Sequence, residues 1–334
     1  MMDSHITLAH GNGGRFMREL IAEVFLRHLG NPELDADADA VPLTLADGEV
    51  MLTTDGFTVQ PLEFPGGTIG SLAVHGTVND LAVAGATPLY MSLNAILEEG
   101  FEVARLERIV ASLGNAAREA GVRVVAGDTK VVRRGEGGGL YLVATGVGVR
   151  PRGLRLGLGE VRAGDTIIVS GSLGDHGTAV LLAREEFGLR GDLASDAASV
   201  LPLAQALLKE PGLRFMRDPT RGGLATVVHE IVRASGLEAR LHEPAIPVRP
   251  PVRSVCDTLG YDPLYLACEG RIVAVVAPEH ASSALEALRA LPGGRDAAII
   301  GQLSGVGGRV VLRTELGGER YLEELEDDPL PRIG

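Results

Sequence analysis

The chain has 334 residues, and this length predicts two domains because a domain holds roughly 150 residues. Hydrophobic residues make up 45% of the chain and charged residues 22%, a composition that excludes global disorder. The formal net charge is -13. Such an acidic protein repels a phosphate polymer, so we expect no nucleic-acid partner.

The two cysteines, Cys256 and Cys268, match neither a disulfide framework nor a CxxC spacing, which favours a reducing compartment. The N-terminal segment from Met1 to Arg15 lacks the basic start and the apolar stretch of a signal peptide. No window approaches about 18 uninterrupted apolar residues, so no transmembrane helix is predicted. We therefore expect a soluble, cytoplasmic protein without a membrane partner.

Apolar residues recur at helical spacing after a Gly-rich start and predict a helix over 15–29, which Gly30-Asn31-Pro32 ends. Asp55-Gly56 is predicted to be a turn between two strands. In chain order, the first half is predicted to contain strands at 50–54, 57–62, 90–97, 122–126 and 140–149 and helices at 69–85 and 103–120. This alternation indicates a first α/β unit.

Residues 150–164 are rich in glycine and predict a linker, after which the same pattern restarts. The second half is predicted to contain strands at 165–170 and 271–276 and helices at 177–187, 196–208, 224–235 and 281–291. The charged segment 316–334 carries prolines that oppose helix and strand pairing, so we expect a mobile or docked tail. The predicted organisation is a Gly-rich loop with the N-terminal helix (1–40), an N-terminal domain (41–150), a C-terminal domain (160–315) and the tail (316–334).

Four aspartates stand beside glycine or at the ends of predicted elements, namely Asp55, Asp80, Asp128 and Asp218. Magnesium takes oxygen ligands and shares them with substrate phosphates, so the loops that carry these aspartates could converge on a magnesium-phosphate cluster. Taken singly, an aspartate at such a place is more often a turn or N-cap residue. The chain contains neither a P-loop nor a clean GxGxxG sequence, so a nucleotide site would be of another kind.

The segment Gly171–Gly177 lies between a predicted apolar strand and a predicted helix. Backbone N–H groups and a helix N-terminus at such a place can hold an anion. The eight histidines show no zinc-ligand spacing, so no zinc site is expected. Cys268 precedes Glu269-Gly270 at a predicted strand start, and a buried structural thiol is its ordinary interpretation.

Six segments carry a family resemblance when they are taken together, in their order and spacing. They are AHGNGGR (9–15), TTDGFTV (53–59), GSLAVHGTVNDLA (70–82), GDTKVV (127–132), GSLGDHG (171–177) and RDPTRGGLA (217–225). Over essentially the whole chain the sequence resembles the hydrogenase maturation factor HypE family. That family belongs to the PurM-like ATP-binding superfamily, which also includes selenophosphate synthetase and thiamine monophosphate kinase. The contexts of Asn79-Asp80 and Asp128-Thr129-Lys130 favour HypE over those relatives.

The resemblance implies an α/β (α+β) PurM-like fold of two domains, whose N-terminal sheet pairs with its copy in a homodimer. It also implies that ATP and Mg²⁺ bind in the cleft between the two halves. The residues implied to hold magnesium are Asp55, Asp80, Asp128 and Asp218. The nucleotide is implied to contact these four and also Gly11, Gly13, Thr129, Gly174, Asp175 and Arg221. Catalytic positions are implied at His75, Asn79, Lys130, Glu269 and Gly334, the last being the place of the family's carrier cysteine.

In the family, the carbamoyltransferase HypF loads a carbamoyl group onto a C-terminal cysteine, and HypE uses ATP to dehydrate the S-carboxamide to a thiocyanate. Cyanide then passes to a HypC-HypD complex for the iron of NiFe hydrogenase. An amide oxygen is a poor leaving group, so its phosphorylation and the removal of the nitrogen protons suit this dehydration. The resemblance implies that Lys130 stabilises charge on the reacting oxygen and that Glu269 accepts a proton.

The chain departs from the family at its last residue. HypE chains end in Pro-Arg-Ile-Cys, whereas this sequence ends in Pro331-Arg332-Ile333-Gly334, so the expected carrier thiol is missing. Cys256 and Cys268 do not lie on the tail and are not expected to replace it. Three interpretations stay open: an engineered terminus, a natural chain that has lost the carrier function, or a chain that acts on the thiol of another molecule.

Two other functions stay open beside the dehydratase. One is an ATP-dependent phosphotransferase of the selenophosphate or thiamine-phosphate kind. The absence of cysteine from residues 9–15 counts against the selenophosphate branch. The other is a catalytically silent ATP-binding scaffold that binds maturation partners without turnover.

Overall fold

The computed structural model describes residues 4–36, 38, 40–184, 188–189 and 191–326. These residues form two compact units. Of the described residues, the first unit holds those up to Leu81 together with Ala86–Arg152, and the second holds Ala82–Gly85 together with those from Gly153 to 326. None of the helices in the described ranges is long and apolar enough to cross a membrane.

The first unit is built on a four-stranded sheet. Its strands are β1 (Glu49–Phe57), β4 (Thr87–Glu98), β5 (Arg123–Val132) and β6 (Leu140–Arg150), and a separate ribbon pairs β2 (Glu63–Phe64) with β3 (Gly67–Thr68). The order is β1-β6-β4-β5, with β6 antiparallel to both neighbours and β4 parallel to β5. The helices are α1 (Arg15–Leu20), a π-helical segment (Ile21–Leu26), α2 (Arg27–Leu29), α3 (Ile69–Val83) and α4 (Val103–Ala120).

One face of this sheet is buried and the other is open. On β4, Met91 and Leu93 are buried whereas Asn94 is exposed, which is the period of two expected of a strand. α3 packs on the buried face, since a Cβ added to Gly146 of β6 would lie 2.6 Å from the Thr77 side chain.

The open face carries aliphatic side chains. Val50 and Leu52 of β1 are 57% and 69% exposed, and beyond them the hydroxyls of Thr54 and Thr145 meet across the strands at 3.0 Å. Exposed aliphatic side chains on one sheet face mark a surface that another protein can cover.

Two predictions in the first half are wrong. The predicted strands at 50–54 and 57–62 are replaced by the single strand β1, in which Asp55 and Gly56 pair with β6 instead of turning. β5 likewise continues to Val132, so Asp128 lies inside a strand and not in a loop. In both places the backbone finds its hydrogen-bond partners on a neighbouring strand, which outweighs the local turn preference of an aspartate beside glycine. The predicted helices over 15–29 and 103–120 are confirmed.

The second unit is built on a seven-stranded sheet. Its strands are β7 (Thr166–Val169), β8 (Leu213–Arg217), β9 (Leu237–His242), β10 (Val273–Val276), β11 (Ala298–Val306), β12 (Val310–Arg313) and β13 (Glu319–Tyr321). They follow the order β13-β12-β9-β11-β7-β10-β8. The helices are α5 (Asp175–Ala183), α6 (Leu201–Leu207), α7 (Gly223–Ser235), α8 (Pro250–Leu259) and α9 (Ala281–Arg289).

Both faces of β7 are buried. Ile167 and Val169 pack in one cluster with Val228 of α7, whereas Ile168 packs in a second cluster with Leu203 of α6. Because alternate residues of a strand point to opposite faces, the sheet lies between two layers of helices.

Six elements of the second unit are not predicted from the sequence, namely β8, β9, α8, β11, β12 and β13. The helix predicted over 196–208 begins only at Leu201, because the Asp196 carboxylate instead accepts hydrogen bonds from a distant backbone segment. The helix predicted over 177–187 begins earlier, at Asp175, and residues 185–187 lie outside the described residues.

The tail predicted from residue 316 was expected not to pair as a strand, and for its first part this expectation is wrong. Residues Glu319–Tyr321 form β13, which pairs antiparallel with β12, and Leu322 is buried. The prolines that oppose strand pairing come only later in the sequence. Residues 327–334, including Gly334, lie outside the described residues.

Candidate functional site

Asp55 and Asp80 lie on the covered side of the four-stranded sheet. Asp55 follows Thr53 by two positions on β1, so both side chains point toward the face that α3 covers. Thr53 donates its hydroxyl hydrogen to Asp80 Oδ2 over 2.7 Å. The Asp55 carboxylate accepts the backbone N–H of Gly56 over 2.8 Å. The structure therefore brings these two predicted site residues to one face.

Asp128 and Lys130 lie on the open face of the same sheet. The register pairs Asp128 with the exposed Asn94, whereas Asp55 falls in the row of the buried Leu93. Lys130 Nζ lies 3.0 Å from Asp128 Oδ2, and these side chains are 66% and 50% exposed. Three strand spacings of about 4.8 Å also separate β1 from β5. The structure does not bring Asp128 beside Asp55.

The Gly-rich start of the chain runs along β5. A 3-10 turn at Leu8–Gly11 sets Gly11 against Val131, where an added Cβ would lie 2.9 Å from both the Cβ and the backbone nitrogen of the valine. Only a residue without a side chain permits this approach. Gly13 has a φ of +74°, a conformation that favours glycine. Gly11 thus stands beside the strand position that follows Lys130, and Gly13 comes two residues later in the chain.

Thr129 is buried and lines, with Asp128, a cavity of about 300 Å³ within the first unit. Most of its other lining is apolar and includes Phe25 of the π-helical segment, Val41 and Leu93. An apolar cavity with a few polar groups is typical of a small-molecule site.

His75 and Asn79 are buried on α3. Burial lowers the pKa of His75 to about 4, so its ring is neutral at pH 7. Its Nδ1 has no hydrogen-bond partner among the described residues, and the side chain borders a cleft of about 450 Å³ between α3 and α4. Five helical positions correspond to about 140° around the axis. His75 and Asp80 therefore lie on different faces of α3.

In the second unit, the predicted segment Gly171–Gly177 does connect a strand to the N-terminus of a helix. Gly174, with a φ of +76°, is the N-cap residue of α5. Asp175 follows it and is fully buried, and burial raises the pKa of its carboxyl group. Its Oδ2 accepts the Ser172 hydroxyl hydrogen. The Asp175 carboxylate thus faces the protein interior.

Cys268 joins this segment to the other predicted loop of the second unit. Its Sγ accepts the backbone N–H of Gly174 over 3.2 Å, and its backbone N–H donates to the carbonyl oxygen of Pro219 over 2.9 Å. The N-termini of α5 and α7 therefore meet near one thiol. Burial raises the pKa of Cys268 well above its ordinary value, so the thiol stays protonated and unreactive.

Two buried carboxylates lie next to the hydrogen bond between Cys268 and Pro219. Asp218 directly precedes Pro219 in the sequence, and Glu269 directly follows Cys268. Arg221 is exposed and stands before Gly222-Gly223, where α7 begins. Helix N-termini favour anions because their first N–H groups point outward, so this corner of the second unit suits a phosphate group.

Sequence reasoning misses Asp196 and Arg271. Asp196 accepts the backbone N–H groups of Glu269 and Gly270 over 3.2 and 3.3 Å, and Arg271 Nε lies 3.5 Å from Asp196 Oδ2. The residues are more than seventy positions apart in sequence, so no local pattern connects them. The one available signal is the run Glu269-Gly270-Arg271 directly before an apolar strand.

Within the described ranges, no three His, Cys, Asp or Glu side chains stand close enough to hold a metal ion by themselves. The aspartate oxygens present fit Mg²⁺ that also takes oxygens from substrate phosphates. They do not fit a zinc site, which needs nitrogen or sulfur ligands.

Residues 37–150 match the N-terminal domain of the AIR synthase related proteins, and residues 162–313 match their C-terminal domain. The carbamoyl dehydratase HypE of Azotobacter vinelandii is 49% identical over 335 residues, with 100% of this chain and 98% of that protein covered. The chain belongs to the HypE family. A crystal structure of a HypE in complex with ATP matches with a TM-score of 0.93 at 46% identity, over 98% of this chain and 99% of that one. A crystal structure of a HypE-HypF complex matches with a TM-score of 0.81 at 41% identity, over 93% and 100%.

Membership of the HypE family confirms the resemblance given by the six sequence segments, and with it the mixed α/β fold of the PurM-like kind. In this HypE family member, the segments 171–177 and 217–225 begin helices, whereas 53–59 and 127–132 coincide largely with strands.

Proposed function

We propose that this chain is an ATP-dependent carbamoyl dehydratase, which converts a cysteine S-carboxamide to a thiocyanate and so supplies the cyanide ligand for NiFe hydrogenase. The observation that carries the proposal is a sequence identity of 49% to a carbamoyl dehydratase over the whole chain. The same chain matches a HypE crystallised with ATP, which supports ATP as the second substrate.

The chemistry removes one oxygen and two hydrogens from an amide. The amide oxygen attacks the γ-phosphorus of ATP and ADP leaves, so the oxygen becomes part of a phosphate leaving group. Loss of both nitrogen protons and of phosphate then forms the C–N triple bond. The products are a thiocyanate, ADP, phosphate and a proton.

Two residues are proposed to assist these steps directly. Lys130 carries an ammonium group that would stabilise negative charge on the transferred phosphoryl group. Glu269 is proposed to accept a nitrogen proton. Asn79 and His75 are proposed to contribute from α3, where His75, being neutral, can only orient a group or accept a proton.

Each unit contains groups suited to ATP and magnesium. In the second unit we assign the N-termini of α5 and α7, with Gly174 and Arg221, to phosphate binding, and Asp218 to magnesium. In the first unit we assign Asp55 and Asp80, which share the covered face of the sheet, to one magnesium ion, and Asp128 on the open face to another. Thr129, Gly11 and Gly13 are assigned to the nucleotide. Bound Mg²⁺ would neutralise phosphate charge. Asp175 is also assigned to the nucleotide site. Its buried carboxylate is proposed to act indirectly, by holding the N-terminus of α5 in place.

Calorimetry tests this assignment. Asp80→Asn should weaken ATP binding in the presence of Mg²⁺ by about tenfold, since it removes a charged ligand oxygen. Asp218→Asn tests the second unit in the same way. Asp47→Asn is the matched control, because Asp47 forms an exposed ion pair with Arg152. Unchanged affinity in both variants, with and without Mg²⁺, would contradict the magnesium assignment.

We propose a homodimer formed through the open face of the four-stranded sheet. Val50 and Leu52 supply the uncovered aliphatic surface, so Leu52→Glu should shift the sedimentation coefficient toward that of a monomer. Val306→Glu is the control, since Val306 is 96% exposed but lies in the second unit. A dimer that survives Leu52→Glu forms elsewhere.

HypF is proposed as the partner that loads the carbamoyl group, which the solved HypE-HypF complex supports. The HypC-HypD complex as cyanide acceptor and a cytoplasmic location are proposed on the resemblance.

The activity test uses the chain with Gly334 and its Gly334→Cys variant, each incubated with HypF, carbamoyl phosphate and ATP. Mass spectrometry of the C-terminal peptide should find a thiocyanate on the variant, because a thiolate is the acceptor and glycine supplies none. Lys130→Ala in that variant should bind ATP but stop at the S-carboxamide. Binding of ATP without any thiocyanate in the Gly334→Cys chain would favour the silent scaffold instead.

A further inference from the structure

Alternating charges run through the interior of the second unit. Arg249 Nε and Arg271 Nη2 each lie 3.5 Å from Asp175 Oδ2, and Arg271 Nε lies 3.5 Å from Asp196 Oδ2. The side chains of Asp175, Asp196 and Arg271 are 0%, 1% and 12% exposed. A guanidinium enclosed by two buried carboxylates is held in place, because moving it leaves a buried charge unpaired.

Asp196 holds the backbone on which Glu269 stands. Its two oxygens accept the N–H groups of Glu269 and Gly270, and Ala198 donates its N–H to the Glu269 carbonyl oxygen over 3.4 Å. A side chain at position 270 would collide with the backbone oxygen of Asp196. The close approach therefore depends on glycine there.

Arg271 connects this segment to the loop that begins α5. Its Nε donates to the carbonyl oxygen of Ser172 over 3.0 Å, and its Nη2 lies 3.4 Å from the Ser172 hydroxyl. Asp175, the first residue of α5, receives both the same guanidinium and the Ser172 hydroxyl. One side chain thus ties the segment of Glu269 to the proposed phosphate-binding loop.

We propose that Arg271 and Asp196 are positioning residues that fix Glu269 relative to the N-terminus of α5. This assignment rests on the proposed function. It adds two residues that act indirectly, through Glu269 and through the proposed phosphate-binding loop before α5. Arg271 supplies a planar fork that a lysine cannot replace, and Asp196 supplies two acceptors for two backbone donors.

The experiment introduces Arg271→Gln, Arg271→Lys and Asp196→Asn into the Gly334→Cys chain. Arg271→Gln should lower the kcat of thiocyanate formation by about 10²-fold, whereas the Kd for ATP changes by less than about threefold. Arg271→Lys should recover part of the loss, because it restores the charge but not the fork. Asp196→Asn should shift the acidic limb of the pH profile of kcat, which a purely structural role would leave in place.

Arg240→Gln is the matched control, since Arg240 belongs to the same unit but pairs with Glu238 and Glu319 at the surface. It should leave kcat and the pH profile unchanged. Urea unfolding of every variant identifies any that does not fold, and Arg271→Lys provides a milder change at the same position.

Amide hydrogen exchange gives a readout that does not need turnover. The N–H groups of Glu269 and Gly270 should exchange faster in Asp196→Asn and in Arg271→Gln, because their acceptor is removed or released. Unaltered exchange there overturns the positioning proposal whether or not the parent is active, and so does a normal kcat with a normal pH profile. A parent that binds ATP yet forms no thiocyanate instead overturns the proposed function.

Discussion

The two ends of α7 offer a direct test of how tightly the second unit's loops are packed. Gly223 starts the helix with a φ of +57°, and Gly236 follows its end with a φ of +70°. An added Cβ at Gly223 would lie 2.7 and 2.6 Å from the carbonyl oxygens of Leu264 and Leu266. At Gly236 it would meet no atom of the described residues within 4 Å.

The expected costs follow from these surroundings. Alanine at either position adopts a left-handed conformation that costs roughly 1–2 kcal/mol. At Gly223 the Cβ must also push back a backbone segment by about 0.6 Å to reach an ordinary carbon–oxygen separation, and such overpacking costs typically about 1–3 kcal/mol more. We therefore expect Gly223→Ala to lower the free energy of unfolding by about 2–5 kcal/mol. Gly236→Ala should lower it by only the backbone cost of about 1–2 kcal/mol.

Urea unfolding followed by circular dichroism gives both values, and hydrogen exchange of the peptide 262–272 locates the change. Gly223→Ala should speed exchange in that peptide, because Leu266 lies two residues before Cys268. An equal decrease of the free energy of unfolding in the two variants would refute this explanation. The larger cost expected for Gly223→Ala comes entirely from the contact of the new Cβ with Leu264 and Leu266.

Two further predictions follow from buried titratable groups. His75 has a pKa of about 4 in the folded protein and 6.5 in the unfolded chain. As the pH falls from 6.5 toward 4, only the unfolded state binds a proton at His75, so the free energy of unfolding decreases over this range. His75→Gln should make this decrease smaller in urea unfolding, and an unchanged dependence of stability on pH would contradict the lowered pKa of His75. Burial raises the pKa of Cys256 to about 11, and it raises the pKa of Cys268 well above its ordinary value. Both thiols should therefore resist iodoacetamide at pH 8 in the folded protein and react in urea, and rapid labelling of folded Cys268, detected by mass, would count against its burial.

Elements with a complete local pattern could be predicted from the sequence. α4 has buried residues at Leu106, Ile109 and Leu113, and it ends before Gly121, which has the left-handed conformation. Residues close together in the sequence therefore indicate both the periodicity of this helix and its C-terminus. The HypE resemblance could likewise be recognised, because each of its segments is contiguous.

The remaining features depend on residues far apart in the chain. Asp55-Gly56 has the composition of a turn, and only pairing with Ala144 and Val143 of β6 makes it a strand. The predicted meeting of four aspartates assumes loops, whereas Asp128 lies within β5 with its side chain on the open face. Asp196 and Arg271 form their ion pair across more than seventy positions of the chain, so no window of sequence contains it.

The position of β7 has a consequence for how the site can move. This strand is hydrogen bonded to β10 on one side and β11 on the other, and helices cover both of its faces. Its amides should be among the last to exchange with solvent, at a free energy close to that of global unfolding. The proposed phosphate-binding loop begins directly after it, so that loop is anchored to one of the least mobile parts of the molecule. Any opening that admits substrate has to be provided by segments other than this strand.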